Sequence, residues 1–147
     1  MELKFTVHTK IQKPAAEVFD AVRDPAKLSK YFATGGASGP LDEGTQPTWR
    51  WADHPGITGV VEVKKVIPNQ LIVFEWEASE GGYNTSVEMK FEPLNDRETL
   101  VSITESGFKD TPKGRESSYG NCHGWTQMIC SLKAWLEYGI NLRKGAY

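Results

Sequence analysis

The sequence predicts an α+β domain: a curved antiparallel sheet of about six strands, two short helices near the N-terminus, and one long C-terminal helix packed across the sheet. Three observations carry this. Apolar and polar residues alternate in short runs through most of the chain before Arg115, as they do in strands with one buried face. Beyond Arg115 the hydrophobic period becomes helical. The order of these runs is strand, two helices, a series of strands and a long helix. Strands joined by short turns pair antiparallel, and helices segregated to one side of them give two layers. An apolar pocket is expected between the layers.

Leu3, Phe5 and Val7 alternate with Glu2, Lys4 and Thr6, a strand ending near Ile11. Pro14 suits the first turn of a helix, Ala15, Val18, Phe19 and Val22 follow at helical spacing, and Asp24-Pro25 stops the run. Ala26 to Phe32 is expected to form a second short helix. Gly35, Gly36, Gly39, Pro40 and Gly44 make the next stretch irregular. Strand patterns then come in series. Trp49 and Trp51 flank Arg50, and Val60 to Ile67 is rich in β-branched residues. Leu71 to Ala78 places Ile72, Phe74 and Trp76 on one face. Thr85, Val87, Met89 and Phe91 alternate with polar residues, and Val101 and Ile103 share an inward face. Pro68-Asn69-Gln70, Gly81-Gly82 and Asn95-Asp96 supply the turns. From about Arg115 to Leu142, Trp125, Met128, Ile129, Leu132, Trp135, Leu136 and Ile140 form one helical stripe, with His123, Gln127, Ala134 and Glu137 opposite. Arg143 and Lys144 suit the negative end of the helix dipole, and Gly145 is the expected stop.

With 147 residues, 39% hydrophobic and 24% charged, residues 1–147 fit one domain that needs no disulfide or metal to fold. The formal net charge is −2 and no basic block occurs, which argues against nucleic acid as a partner. No apolar run reaches the ~18 residues of a membrane span. Cys122 and Cys130 lie eight positions apart in one helical segment, about 12 Å along its axis. Bridged Cα atoms lie within roughly 7 Å, so these two do not pair, and reduced thiols suggest the cytoplasm.

The residues just described resemble, in order and spacing, the START-like (SRPBCC) superfamily with its helix-grip fold. The likeness is greatest to the family named after the activator of heat-shock protein 90 ATPase. It is carried by the helix from Pro14 to Val22, by Asp24-Pro25 with Leu28 and Tyr31-Phe32, and by the hairpin from Val66-Ile67-Pro68 to Phe74-Glu75-Trp76. Thr104-Glu105-Ser106-Gly107-Phe108 and Gly124-Trp125 with Leu132 and Leu136 continue it. The resemblance implies a cavity between the concave sheet face and the long helix. The superfamily includes lipid and hydrophobic-ligand carriers, polyketide cyclases, antibiotic self-resistance proteins and a co-chaperone domain. The eukaryotic co-chaperone carries a further N-terminal domain. Nothing here precedes the first strand, so its full activity is not expected of this chain.

The residues expected to line that cavity are Trp49, Trp51, Phe74, Trp76, Met89 and Ile103 from the sheet. The long helix adds Ser118, Asn121, Cys122, Trp125 and Ile129. Ser118, Asn121 and Cys122 are small or polar where the stripe is otherwise apolar. Gly120 and Gly124 lie among them, each costing about 1 kcal/mol of helix stability relative to Ala. The N-terminal half of the helix is therefore expected to face a cavity and its C-terminal half to pack solid core. The competing reading is a helix that starts only near Cys122. Glu105 shares its strand face with Val101 and Ile103 and points inward by alternation. A buried carboxylate needs partners, and a ligand hydroxyl or the indole N–H of Trp49 or Trp125 would serve. The competing reading is a bulge near Gly107 that turns Glu105 to solvent.

No G-x-S-x-G elbow or phosphate-binding glycine loop occurs, and no catalytic residue, metal ligand or cofactor is expected. Cys122 and His123 diverge by about 100° on a helix, unsuited to joint metal ligation. Asp53-His54 reads as an exposed loop pair, or else as an acid-base couple at a pocket mouth. The expected function is binding of a small hydrophobic or aromatic molecule by a monomer or weak homodimer. The alternatives are a co-chaperone-like interaction module, with another protein as partner, and a cyclase- or hydrolase-type enzyme using the same cavity.

Overall fold

A computed structural model describes residues 1–147. Eight strands and three helices follow one another as β1 (Leu3–Ile11), α1 (Ala15–Arg23), α2 (Pro25–Leu28), β2 (Gly36–Ala37), β3 (Thr48–Arg50), β4 (Thr58–Val60), β5 (Glu62–Ile67), β6 (Leu71–Glu77), β7 (Asn84–Asn95), β8 (Glu98–Phe108) and α3 (Pro112–Tyr138). The architecture is α+β, with the long helix gripped against an antiparallel sheet that does not close into a barrel.

The strand count differs from the expected six. Five strands form the main sheet in the order β1-β8-β7-β6-β5, and three short ones form a second sheet, β2-β3-β4. The β-branched run from Val60 to Ile67 is two strands, because the chain changes sheets at Val61. Val60 pairs with Thr48 and Glu62 with Glu75. Val61 turns fully into the core while its N–H bonds Pro47 O at 2.9 Å.

Alternation decides the faces of the main sheet. In β7, Thr85, Val87, Met89 and Phe91 point inward, and in β8, Thr99, Val101, Ile103 and Glu105 do the same. The bulge suspected near Gly107 exists. Phe5 pairs with Glu105 but Leu3 with Phe108, so one extra β8 residue lies after Glu105. It leaves Glu105 inward, at 0% exposure. Helix α1 buries Val18, Phe19, Ala21 and Val22, and Phe19 meets Phe91 edge-on at 5.4 Å. Such pairs contribute about 0.5–1.5 kcal/mol beyond their area. Helix α2 is shorter than expected, ending at Leu28. Tyr31 and Phe32 are nonetheless buried beyond it, and Tyr31 Oη donates to Ala21 O at 3.0 Å.

Helix α3 starts earlier and stops earlier than its apolar stripe suggests. Thr111 caps it by accepting from Gly114 N–H at 3.0 Å, and Pro112 takes the first turn. Gly114 has no room for a side chain, since a Cβ there would sit 1.9 Å from Lys109 O. At the other end Gly139, at φ 67°, closes the helix in the left-handed conformation. Ile140 therefore lies outside the helix and is exposed, and Gly145 is not the stop. Helix α3 lies against β1 and β8, burying Trp125, Met128, Ile129 and Leu132.

Candidate functional site

The space between sheet and helix is largely filled with aromatic rings. Trp49 is fully buried, edge-on to Phe32 and Phe74 at 5.5 Å and to Trp76 at 5.9 Å. Trp125 stacks on Trp76 at 5.4 Å and on Phe32 at 5.8 Å. Five residues expected to line a cavity, namely Trp49, Phe74, Met89, Ile103 and Ile129, are instead solid core and do not reach open space. The reason is volume: indole and phenyl rings occupy the hollow that backbone curvature alone would leave. Ser118 is also buried, its hydroxyl donating to Arg115 O at 2.7 Å, and Cys122 is half-buried and lines neither the cleft nor the groove described next.

Open space remains at the mouth of the grip, as a cleft of ≈ 430 Å³. Phe32, Trp51, Trp76 and Trp125 form its aromatic walls, and Ile57 of the β3–β4 loop flanks them. The helix contributes Asn121, His123 and Gln127, together with Gly120 and Gly124. At both glycines a Cβ would meet nothing within 4 Å, so the helix backbone itself faces the opening. A second, more polar groove of ≈ 740 Å³ adjoins across Trp51, Ile57, Trp76 and Asn121 and runs toward Glu75 and Glu77. Of the twelve residues expected at the site, the structure brings Trp51, Trp76, Asn121 and Trp125 onto the cleft, with Glu105 directly behind three of them.

Glu105 is the polar centre of this arrangement. Its Oε1 accepts from Trp125 Nε1 at 2.8 Å, and its Oε2 from Trp76 Nε1 at 2.9 Å and Thr85 Oγ1 at 2.6 Å. Asn121 Nδ2 lies 3.1 Å from both oxygens. The two indoles and the amide NH₂ have no lone pair to offer in return, so this donor set is made for a carboxylate. Every partner is neutral, so Glu105 is held by hydrogen bonds alone, with no cation beside it. The indole of Trp49 takes no part; its Nε1 has no hydrogen-bond partner.

The far end of the cleft is built by Asp53 and His54, which the sequence offered at a pocket mouth only as the less favoured reading, and by Arg143 and Tyr147, which it did not select for the site. Arg143 Nη2 donates to Asp53 Oδ1 at 3.0 Å, and Arg143 Nε lies 2.6 Å from Oδ2. The guanidinium sits over the Tyr147 ring at 4.5 Å and near Phe32 at 5.9 Å. His54 Nδ1 bonds Asp53 Oδ1 at 2.9 Å, its ring lies 4.8 Å from that of Tyr147, and Tyr147 Oη donates to Gln127. The expected exposed loop pair is thus a half-buried anchor, with the Asp53 side chain 17% exposed. Burial pushes the Asp53 carboxyl up. The hydrogen bonds from Arg143 and His54 outweigh it and hold the group below its ordinary value. Asp53 is thereby committed to an ion pair, not free to act as a base. The Asp53–Arg143 pairing spans ninety residues and leaves no local pattern; Gly120, Gly124 and the pocket-mouth alternative for Asp53-His54 are the signals the sequence holds for this side of the site.

Comparisons with known proteins agree with the fold. The model of the family described as activator of Hsp90 ATPase homolog 1-like protein matches residues 12–137. Among solved structures, protein SSP2350 from Staphylococcus saprophyticus is 26% identical, with 96% of each chain covered and a TM-score of 0.79. MLL2253 from Mesorhizobium loti is 19% identical over 92% of this chain and 97% of its own, with a TM-score of 0.79. The Aha1 dimer from Colwellia psychrerythraea is 21% identical over 93% and 98%, with a TM-score of 0.75. No curated protein matches the sequence. No helix is long and apolar enough to cross a membrane.

Proposed function

The chain belongs to the activator of Hsp90 ATPase homolog 1-like family of the START-like superfamily, and from that premise we propose that it binds a small planar aromatic molecule in the cleft at the mouth of the helix grip. One observation carries this reading. The rings of Phe32, Trp51, Trp76 and Trp125 line an opening where α3 presents Gly120 and Gly124 with no side chain. Two glycines inside a helix cost about 2 kcal/mol relative to two alanines. Here they leave room for a flat ring against the helix backbone. Pockets of ≈ 430 Å³, mostly apolar with a few placed polar groups, are of the size that holds small molecules. Both carboxylates near the cleft are engaged, Asp53 by Arg143 and Glu105 by its four donors, which favours binding over acid-base catalysis. Free thiols at Cys122 and Cys130 suit a reducing compartment such as the cytoplasm.

A thermal-shift screen against lipids, flavonoid-like and polyketide-like aromatics tests the reading. An aromatic at 100 times its dissociation constant adds about 2.7 kcal/mol, a rise of roughly 5–10 °C for a chain of this size. Gly124→Leu fills the opening. It should abolish that shift while leaving the unliganded melting temperature at or above the parent's, because Leu is the better helix former. No shift with any aromatic, or an undiminished shift in Gly124→Leu, counts against the cleft.

A second reading, an interaction module acting on a chaperone, draws on the family's own description and on the dimer formed by the Colwellia relative. Tyr138, Ile140 and Leu142, exposed around the end of α3, would be its first contact surface. Under that reading, substitutions there would weaken association and Gly124→Leu would not.

A further inference from the structure

Asn121 lines both the cleft and the polar groove beside it, and its amide has only one way to face. Its Nδ2 lies 3.1 Å from both oxygens of Glu105. The NH₂ end points at the Glu105 carboxyl oxygens, which leaves Oδ1 as the end turned to the side where the cleft opens into the groove, next to the groove residue Ser79. The present partner of Oδ1 is the hydroxyl of Ser79, an exposed residue, at a long 3.3 Å. A carbonyl oxygen has two lone pairs, so one acceptor site stays open even while Ser79 is bound. The polarity has a further consequence. Glu105 is fully buried with neutral partners only, and the Asn121 dipole lies with its positive end toward the Glu105 oxygens. Its negative end is turned toward the groove beside the cleft, and such chains polarise one another in the same direction.

We infer that Asn121, held in one orientation by Glu105, sets specificity where the cleft opens into the groove: it selects an aromatic ligand whose ring lies in the cleft and which offers an O–H or N–H toward the groove, over one that offers only acceptors or a negative charge there. This rests on the binding reading above. Glu105 acts here as a positioning residue that does not touch the ligand. A ligand without a donor would cover the second lone pair of the Asn121 oxygen and cut it off from water without replacing the hydrogen bond, the asymmetry by which a polar site rejects an isostere.

Two probes separate the possibilities. 2-Naphthol and 2-methoxynaphthalene share a ring system and an oxygen, but only the first has a donor. Their dissociation constants are read from quenching of tryptophan fluorescence, since Trp51, Trp76 and Trp125 wall the cleft. The expected result is about tenfold tighter binding of 2-naphthol, the size of one hydrogen bond. The methoxy compound is the more apolar of the two, so burial alone would favour the opposite order. The preference should vanish in Asn121→Leu. It should also shrink in Glu105→Gln, where the amide at 121 is free to turn either end outward. Should Glu105→Gln not fold, Asn121→Leu decides alone, because Asn121 is only half-buried and its loss leaves the core intact. Equal affinity for the two probes in the parent protein, or a preference that survives in Asn121→Leu, overturns the role of Asn121 while leaving the cleft a binding site. No binding of either probe overturns the binding reading itself.

Discussion

Glu105→Ala is expected to destabilise the protein by about 3–5 kcal/mol, a large part of the 5–15 kcal/mol that holds a domain of this kind together. The loss does not come from the carboxylate alone. Its removal strands the indole N–H of Trp125 and the hydroxyl of Thr85, both within 2% of full burial, where no solvent replaces the acceptor. An unsatisfied buried donor costs about 1–3 kcal/mol, and a methyl in place of the carboxylate adds a polar-walled cavity. Trp76 and Asn121 border the cleft and can recover a partner from water, so they add less. Glu105→Gln keeps the volume but sets an NH₂ among donors of which only the Thr85 hydroxyl can also accept, and should cost about half as much. Urea unfolding, with the midpoint and slope followed together, measures both. A loss below about 1 kcal/mol for Glu105→Ala would mean that the donors find other acceptors and that Glu105 is not the organising group.

Trp49→Ala should be comparably severe, at about 3–5 kcal/mol, for a different reason. Trp49 is fully buried and its ring touches Phe32, Trp51, Phe74 and Trp76. Its truncation empties the centre of the aromatic cluster, and rigid rings collapse poorly into the void. The informative companion is phenylalanine. Trp49 Nε1 is buried without a partner, so Trp49→Phe sheds an unsatisfied donor along with part of the ring, for a net cost of about 1 kcal/mol. Trp125 is nearly as buried, but its Nε1 holds Glu105, and Trp125→Phe should cost about 3 kcal/mol. Unfolding curves for the two phenylalanine variants decide this. Equal losses would show that the Trp125–Glu105 bond adds nothing beyond ring volume.

How far the sequence anticipates this structure depends on the range of the interaction. Alternation in Thr85-Val87-Met89-Phe91 and the i, i+3, i+4 stripe from Trp125 to Leu136 are local patterns, and the folded faces follow them. Glu105 is placed inward for the same reason, but alternation leaves Trp49 and Trp125 equally eligible as its indole partner, and only Trp125 serves. The ends of α3 were harder, because apolar residues continue through Ile140 while Gly139 has already terminated the helix. Whether the grip is hollow cannot be read from periodicity. That depends on how the rings of Trp49, Phe74 and Trp125 fit one another in three dimensions. The Asp53–Arg143 anchor is equally invisible, since neither residue belongs to a pattern and ninety positions separate them.

The strand order β1-β8-β7-β6-β5 also sets a timetable. Neighbours from β5 to β8 are joined by short turns, the tightest between Asn95 and Glu98, and can pair as soon as they emerge. The first strand must wait, because the nearest pairing it makes, Ile11 with Thr99, spans 88 residues. Closing so long a loop costs about 3 kcal/mol more in chain entropy than closing the Asn95–Glu98 hairpin. Until β8 is made, the apolar face of β1 has nowhere to dock. Closure of the first strand should therefore be the late event in folding. Pulse-labelled hydrogen exchange would show it as protection of Val7 and Thr9 arriving after that of Val73 and Val87, and simultaneous protection would refute it. A protein assembled this way exposes its first strand longest, so the alternation of Glu2, Lys4, Thr6, His8 and Lys10 along its other face also keeps a waiting edge in solution.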